Sequence, residues 1–190
     1  MPPNWLDTAI ARCGDLTARL LIPLLLTSAE RRCPGWQTTT LEQLPPGERP
    51  SSVDDTRFVR DRALLEWMLA YPWITMIRDV STADYFFDDF REKYLYRICE
   101  IRGKTNGAVG WAIIWFYVRG SRRILHVLDY ELSAADAASA ILILALREAQ
   151  KLGANRISIP DITGSAIERL GFLGKLFTTE TRRFLCRPGA

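Results

Sequence analysis

The segment from Leu125 to Ile159 constrains the fold more than any other part of this 190-residue chain. It begins with the β-rich run LHVLDYEL, continues into a long apolar stretch and ends with the short run ANRISI. The stretch from Ala140 to Leu152 has apolar residues at helical spacing and stops at Gly153, which is typical of an amphipathic helix with a glycine cap. Its predicted buried face comprises Ile141, Leu142, Leu144, Ala145, Ala149 and Leu152, and its predicted solvent face comprises Arg147, Glu148, Gln150 and Lys151. A strand, a helix and a strand in this order predict a parallel pair joined by a right-handed crossover.

Two more β-rich runs precede this unit. YLYRICEIR and AVGWAIIWFYVRG are joined by a turn whose Asn106-Gly107 step is a strong hairpin signal, and RILHVLDYEL follows as a third antiparallel strand. After the parallel strand, SAIERLGF predicts a short helix, and the run from Gly174 to Arg187 predicts one or two closing strands. The predicted fold class is therefore α+β (or α/β), with a mixed, mostly antiparallel sheet that has a central parallel pair and is flanked by helices.

Proline-rich segments divide the N-terminal part of the chain. Residues 4–32 are mostly helical in pattern, with a break near Pro23, and a polar stretch starts at Cys33. The run LPPGERPSS, from Leu44 to Ser52, has the composition of a linker. We therefore predict a helical N-terminal extension with its Pro-rich linker over residues 1–50 and a second domain over 51–190. The second domain opens with one or two short helices that end at Pro72.

Composition limits the partners. The net charge is +3 and no block of five or six like charges occurs, so no nucleic-acid partner is expected. Four dispersed cysteines and one histidine give no support for a metal site. The cysteines indicate a cytoplasmic protein with reduced thiols, with disulfides as the alternative. The apolar run from Leu20 to Leu26 is short for a bilayer span, which predicts a docking or core helix and no transmembrane segment; peripheral membrane contact is the alternative.

Taken in order, LHVLDYEL, the long helix up to KLGANRISIP, and SAIERLGF resemble the core of the GNAT superfamily of N-acetyltransferases. The resemblance covers roughly Trp73 to Arg187, and the order of the elements together with the LGF step carries it. The preceding RDRALLEWMLAYP resembles the opening of the C-terminal lobe in two-lobed Fem-like and polysaccharide-associated GNAT proteins. The resemblance implies a GNAT-like acyltransferase domain over 51–190. It would transfer an acyl group from acetyl-CoA or another acyl-CoA to a small-molecule or peptide amine.

The resemblance also implies a role for the loop after LHVLDYEL. In the family, backbone N–H groups and the helix dipole hold the pyrophosphate of coenzyme A there. The positions implied in this chain are Leu132, Ser133, Ala134, Ala135, Asp136, Ala137, Ala138 and Ser139. Ala138 fits the family's small residue, whereas Ser133 stands where the family has Gln or Arg, and Asp136 where it has its first glycine. Ser133 and Asp136 also match a capping box, so phosphate binding and structural capping both remain open.

Two carboxylates near the end of the third antiparallel strand are the candidate catalytic residues. Because side chains alternate along a strand, Asp129 and Glu131 should share one face and Tyr130 the other. Either carboxylate could act as the general base toward an ammonium group if burial raised its pKa. The alternative is that both are solvated beside an arginine pair, either Arg122/Arg123 or Arg182/Arg183.

Ile167 stands where the family has a tyrosine that protonates the leaving thiolate, and isoleucine cannot donate a proton. Two functional hypotheses follow. The first is N-acyl transfer; the second is a non-catalytic GNAT-like lobe that has lost coenzyme A binding and docks to a partner, to another GNAT-like lobe or to a second copy. The predicted docking surface consists of exposed apolar side chains from Ile22 to Leu26 and a wedge of Trp67, Tyr71 and Trp73.

Overall fold

The computed structural model describes residues 20–45, 62–70, 93–103, 108–132, 137–159 and 164–177. Helix α1 is described over residues 20–32. It is followed by strand β1 (Gln37–Leu41), helix α2 (Arg62–Ala70) and strands β2 (Lys93–Arg102), β3 (Ala108–Arg119) and β4 (Arg122–Leu132). The described order ends with helix α3 (Ala137–Leu152), strand β5 (Arg156–Ser158), helix α4 (Gly164–Glu168) and a 3₁₀ helix (Gly171–Leu176).

The described strands form one five-stranded sheet in the order β1-β2-β3-β4-β5. The first four strands pair antiparallel with their neighbours. Strand β5 runs parallel to β4 over a short stretch, from Ile124 opposite Arg156 to His126 opposite Ser158, and α3 connects the two. The predicted α+β class, with a mixed, mostly antiparallel sheet and one parallel pair, is therefore confirmed. Among the described strands this pair lies at the β5 end of the sheet.

The main core lies on one face of the sheet, which we call the α3 face. Strand residues on this face include the fully buried Phe116 and Leu125, and α3 packs on them with Ile141 and Leu144. Helix α1 and helix α4 add further buried side chains to the same cluster, namely Ile22, Leu25, Leu26, Ala29 and Ala166. Because removing a large apolar side chain from water contributes about 1.5–3 kcal/mol, burial on several sides fixes α3 firmly in the fold.

Helix α3 departs from its predicted solvent face. Glu148 is only 1% exposed and Arg147 is half-buried, whereas Gln150 and Lys151 are exposed. The prediction was therefore wrong for Glu148. Since both the sheet and α1 cover α3, its polar side chains are confined to a narrower stripe than the helical periodicity indicates.

A smaller core lies on the opposite face of the sheet, which we call the α2 face. Leu65 of α2, 2% exposed, packs there with Ile98 and Ile113 of the central strands and with Leu44. Helix α2 falls within the region that the sequence assigns to one or two short helices. The sheet is thus covered by α1, α3 and α4 on one face and by α2 on part of the other.

The described N-terminal residues share this sheet and core. Helix α1 buries Ile22, Leu25 and Leu26, so the predicted exposed patch from Ile22 to Leu26 is wrong except at Leu24, which is 57% exposed. Residues 37–41, predicted as part of a polar stretch, instead form β1 because they pair with residues 98–102 of β2. Polar side chains do not prevent strand formation at a sheet edge, where one side of the strand faces solvent.

The predicted closing strand is wrong at its first residues, because Gly174, Lys175 and Leu176 lie in the 3₁₀ helix. None of the described helices is long and apolar enough to cross a membrane. Other predictions lie outside the described residues: the helical pattern over 4–19, the boundary at Pro50, the roles of Tyr71 and Trp73, the predicted turn at Asn106-Gly107, the predicted cap or phosphate site at Ser133–Asp136, and the predicted strands over 178–187 with Arg182 and Arg183.

Candidate functional site

The candidate site lies where β4 extends beyond β5. Strand β4 pairs with β5 only through Ile124–His126, and its remaining residues, Val127–Leu132, have no strand on that side within the described chain. Helix α3 begins at Ala137, five residues after the end of β4. In sheets with parallel crossovers, ligands bind outside the carboxyl ends of the strands, so this end of β4 is the position at which a ligand would be expected.

A β-bulge shapes the end of β4. Ile113 lies opposite Asp129 and Ile114 opposite Val127, which leaves Leu128 as an extra residue in β4. Residues three positions apart in a regular strand lie on opposite faces. Because of the extra residue, Val127 and Tyr130 both lie in the α3-face core. Bulges bend a strand locally and commonly redirect side chains next to active sites.

The two candidate carboxylates lie just past the bulge. The register puts Asp129 opposite Ile113 and Glu131 opposite Trp111, which are positions of the α2 face, whereas Tyr130 packs in the α3-face core. The register therefore agrees with the prediction that Asp129 and Glu131 share one face of the sheet and Tyr130 lies on the other. Asp129 is 7% exposed and its Oδ1 accepts a hydrogen bond from the Tyr130 N–H at 2.8 Å, which fixes the carboxylate.

The structure does not support the alternative in which the two carboxylates are solvated beside Arg122 and Arg123. Both arginines lie at the start of β4, six or more residues from Asp129 along the strand. The Arg123 guanidinium donates to the carbonyl oxygen of Leu152, at the end of α3, at 2.8 Å. The burial of Asp129 also differs from a solvated carboxylate.

The proposed donor loop is described only at its two ends. Leu132 ends β4 and Ala137 begins α3, so capping and phosphate binding by Ser133–Asp136 both stay predictions. Ala138 is half-buried against the core. Ser139 is 3% exposed, and its hydroxyl accepts a hydrogen bond from the Cys33 thiol at 3.3 Å. The Ser139 side chain therefore joins α3 to the end of α1.

Two arginines that the sequence did not indicate as site residues lie near the first turn of α3. Arg32 and Arg169 line a small cavity of about 10 Å³ together with Ser139. The Arg32 guanidinium donates to the carbonyl oxygen of Arg169. These arginines are 137 residues apart in sequence, and no local pattern marks either of them, so only the packing of α1 and α4 against α3 brings them together.

Ile167, which the resemblance places at a general-acid position, has an apolar side chain that cannot donate a proton. Ile167 is half-buried and packs against the α3-face core. Within the described ranges, no group of three or more His, Cys, Asp or Glu side chains is arranged to hold a metal ion.

A buried ion-pair cluster, which the sequence did not reveal, connects α3 to β2. Glu148 accepts hydrogen bonds from the guanidinium of Arg97 and from the Lys151 ammonium, the latter at 2.6 Å. Burial, and next the negative charge of Glu148, raise the pKa of the nearby Cys99 thiol from 9.0 to about 12. At neutral pH Cys99 is therefore a protonated, unreactive thiol, and the cluster is a structural link between helix and sheet.

Comparison of this chain with protein-family models, with curated proteins and with solved structures gave no match.

Proposed function

We propose that this protein is a GNAT-like N-acyltransferase, which transfers an acyl group from acetyl-CoA or another acyl-CoA to an amine. The observation that carries the proposal is the end of β4 beyond its pairing with β5. It carries the buried Asp129 and the half-buried Glu131, and the next described element along the chain is the 16-residue helix α3. The order of strands and helices that underlies the resemblance, from the hairpin to α4, is also the order of the described elements.

In this proposal the first turn of α3 binds the pyrophosphate of the donor. The first N–H groups of a helix have no acceptor within the helix, and together with the helix dipole they favour an anion. Arg32 and Arg169 lie beside this turn and would add positive charge. The binding groups would thus be backbone N–H groups of Ala137, Ala138 and Ser139, with the arginines as counter-charges.

The chemical step in this proposal is direct attack of the amine on the thioester. Asp129 or Glu131 takes a proton from the ammonium group, and the neutral nitrogen then attacks the thioester carbonyl carbon. The new C–N bond forms as the C–S bond breaks, which yields an amide and the coenzyme A thiolate. Because Ile167 cannot protonate that thiolate, solvent supplies the proton, and most of the rate enhancement comes from positioning of the two substrates.

The first test is thermal unfolding of the full chain with millimolar acetyl-CoA. A ligand at 100 times its dissociation constant should raise the unfolding free energy by roughly 2.7 kcal/mol. S-acetylpantetheine, which lacks the phosphates, is the matched control and should give a much smaller shift. Absence of any shift with acetyl-CoA in a folded sample would contradict the proposal.

Asp136 provides a second test of the same site. A carboxylate about 4 Å from a phosphate charge repels it by roughly 4 kcal/mol at a near-surface dielectric, so Asp136→Asn should strengthen acetyl-CoA binding. Asp136→Gly should strengthen binding too, but at the cost of about 0.5–2 kcal/mol of stability if the residue caps the helix. If both variants bind acetyl-CoA no better than the parent chain, Asp136 does not approach the phosphates.

The second candidate function is a non-catalytic lobe that docks to a partner. The observations that favour it are exposed apolar side chains, Leu20 and Leu24 of α1 at 63% and 57% and Trp67 of α2 at 47%, together with the isoleucine at position 167, which cannot donate a proton. The acetyl-CoA experiment separates the two functions, since a docking lobe without coenzyme A binding gives no thermal shift.

A further inference from the structure

Within the described part of the chain, strand β2 has a paired neighbour along only half of its outer edge. It has ten residues, and β1 pairs with Ile98–Arg102 alone. On that side no described strand pairs with Lys93–Arg97. Alternate residues of a strand direct their N–H and C=O groups toward the same edge, so this half of β2 presents a short row of backbone donors and acceptors.

The open half of the edge results from the path of the chain after β1. Beyond Leu41 the chain turns onto the α2 face, where Leu44 is 7% exposed and packs against α2. The Arg62 guanidinium of α2 donates to the carbonyl oxygen of Leu44 at 3.2 Å and also to that of Pro45. This anchoring holds residues 42–45 away from Lys93–Arg97, and within the described ranges no other strand pairs with this half of β2.

A cleft of about 670 Å³ occupies the gap, which is within the range of ligand-binding pockets. Residues 95–98 of β2 line one side, residues 40–44 line another, and Arg62, Glu66, Leu69 and Ala70 of α2 line the third. The two arginines of the lining are already paired, since Arg62 contacts Glu66 at 2.7 Å and Arg97 contacts the buried Glu148. The lining also offers backbone groups of β2, apolar side chains such as Leu69, and the polar side chains of Thr40, Glu42 and Gln43.

We propose that this cleft binds an extended peptide segment of another protein, which adds a strand to β2 in line with β1. An extended peptide is the ligand whose alternating N–H and C=O groups match a strand edge, and pockets beside the edge then select its side chains. The five residues from Lys93 to Arg97 span about 17 Å at about 3.4 Å per residue, so the edge holds a peptide of about five residues. Leu69 and Tyr96 would contact apolar side chains of that peptide.

The peptide cleft is separate from the proposed acyl-transfer site. Lys93 lies level with Val118 of β3 and Arg123 of β4, at the start of β4, whereas Asp129 lies near the other end of that strand. The proposal therefore does not rest on acyl transfer, and a failure of one leaves the other intact.

The test uses a heptapeptide phage library selected on the full chain, followed by fluorescence anisotropy with the enriched peptides as synthetic probes. Ala70 and Ala63 are both exposed residues of α2, but only Ala70 lines the cleft. We expect Ala70→Arg to weaken binding at least tenfold and Ala63→Arg to leave it unchanged. Equal affinity for the two variants, or no peptide enriched on the parent chain over the Ala70→Arg chain, would overturn the proposal.

Backbone recognition has its own readout, independent of any variant. N-methylation should abolish binding at alternate positions of the peptide and spare the positions between, and peptide binding should slow amide hydrogen exchange within Lys93–Arg97. Loss of binding at every position or at none would exclude strand addition. If the chain instead forms a dimer in solution that protects the same amides without peptide, the occupant is a second copy and the peptide proposal is wrong.

Discussion

Gly110 shows how a single residue sets the spacing between β3 and β4. It lies opposite Leu132 in the register, next to the candidate carboxylate Glu131. A Cβ added at Gly110 would lie 1.9 Å from the Glu131 carbonyl oxygen and 2.9 Å from the Leu132 Cα. Both neighbours are backbone atoms, so no side-chain rotation could relieve the contact, and the two strands would have to separate at the candidate site.

We therefore expect Gly110→Ala to lower the unfolding free energy by about 1–3 kcal/mol, the usual cost of overpacking. Gly164→Ala is the matched control, because a Cβ there meets no atom within 4 Å. In helix α4 that change should be neutral or stabilising by up to about 1 kcal/mol. Urea unfolding of the three proteins measures both effects, and equal stability of the two variants would show that the close approach carries no energetic weight.

Cys99 should make the stability depend on pH in the alkaline range. Its folded-state pKa of about 12 is higher than the ordinary 9.0, so above pH 9 the unfolded chain loses this proton before the folded one does. Its contribution is complete below pH 9 and is lost as the pH rises toward 12, by at most about 1.4 kcal/mol per pH unit.

The measurement is urea unfolding at several pH values between 8.5 and about 11.5. Cys99→Ala should flatten the slope, whereas Cys33→Ala, which leaves Cys99 in place, should retain it. Burial also raises the pKa of Tyr94, which adds a slope of the same sign, so the comparison between the two cysteine variants is what isolates Cys99. Identical slopes for both variants would contradict the assignment.

At the scale of single residues, the sequence predicted which faces carry Asp129, Tyr130 and Glu131, because strand alternation is a local rule. It could not predict the arginines beside α3 or the burial of Glu148. Those depend on contacts between elements far apart in the chain, such as Arg97 with Glu148, which helical or strand periodicity does not encode.

Among the elements, α1 offers the clearest comparison of buried and exposed positions. Leu26 is 9% exposed within the α3-face core, whereas Leu24 is 57% exposed on the same helix. Leu26→Ala should cost about 2–5 kcal/mol through lost burial and a residual cavity, and Leu24→Ala should change stability by less than about 0.5 kcal/mol. Thermal and urea unfolding measure the difference, and similar losses would mean that α1 does not pack on the core as described.

Elements with a strong repeating pattern were the predictable ones. Helix α3 ends at Leu152 before Gly153, as predicted, and Gly153 adopts φ = +63°, a conformation that glycine permits at a helix C-terminus. Strand β1 was missed because residues 37–41, QTTTL, are mostly polar and lack alternating apolar side chains. Its place in the sheet comes from pairing with β2, which a local pattern cannot reveal.

At the scale of the whole molecule, the described part of the N-terminal segment is bound to the rest by a shared core and by specific polar contacts. The Arg147 guanidinium of α3 contacts Glu30 of α1 at 2.7 Å and donates to the Trp36 carbonyl oxygen at 2.7 Å. The predicted domain boundary at Pro50 would put Glu30 and Trp36 in one domain and Arg147 in the other.

We expect a fragment of residues 51–190 to lose cooperative unfolding. Removal of Ile22, Leu25 and Leu26 from the core forfeits about 1.5–3 kcal/mol each, a large part of the 5–15 kcal/mol that holds a typical domain together. Circular dichroism during heating, with the full chain as reference, measures the change. A fragment that unfolds cooperatively near the melting temperature of the full chain would instead support a separate domain over 51–190.

The bulge at Leu128 also determines where β4 can tolerate a change in its length during evolution. Removing a single residue elsewhere in a strand turns every side chain on one side of the cut to the other face. At Leu128 the chain holds one residue more than its partner strand, so deletion of this residue leaves Val127 and Tyr130 on the α3 face and Asp129 on the other. Related sequences should therefore tolerate the loss of one residue at this position, because the side chains on both sides of it keep their faces of the sheet.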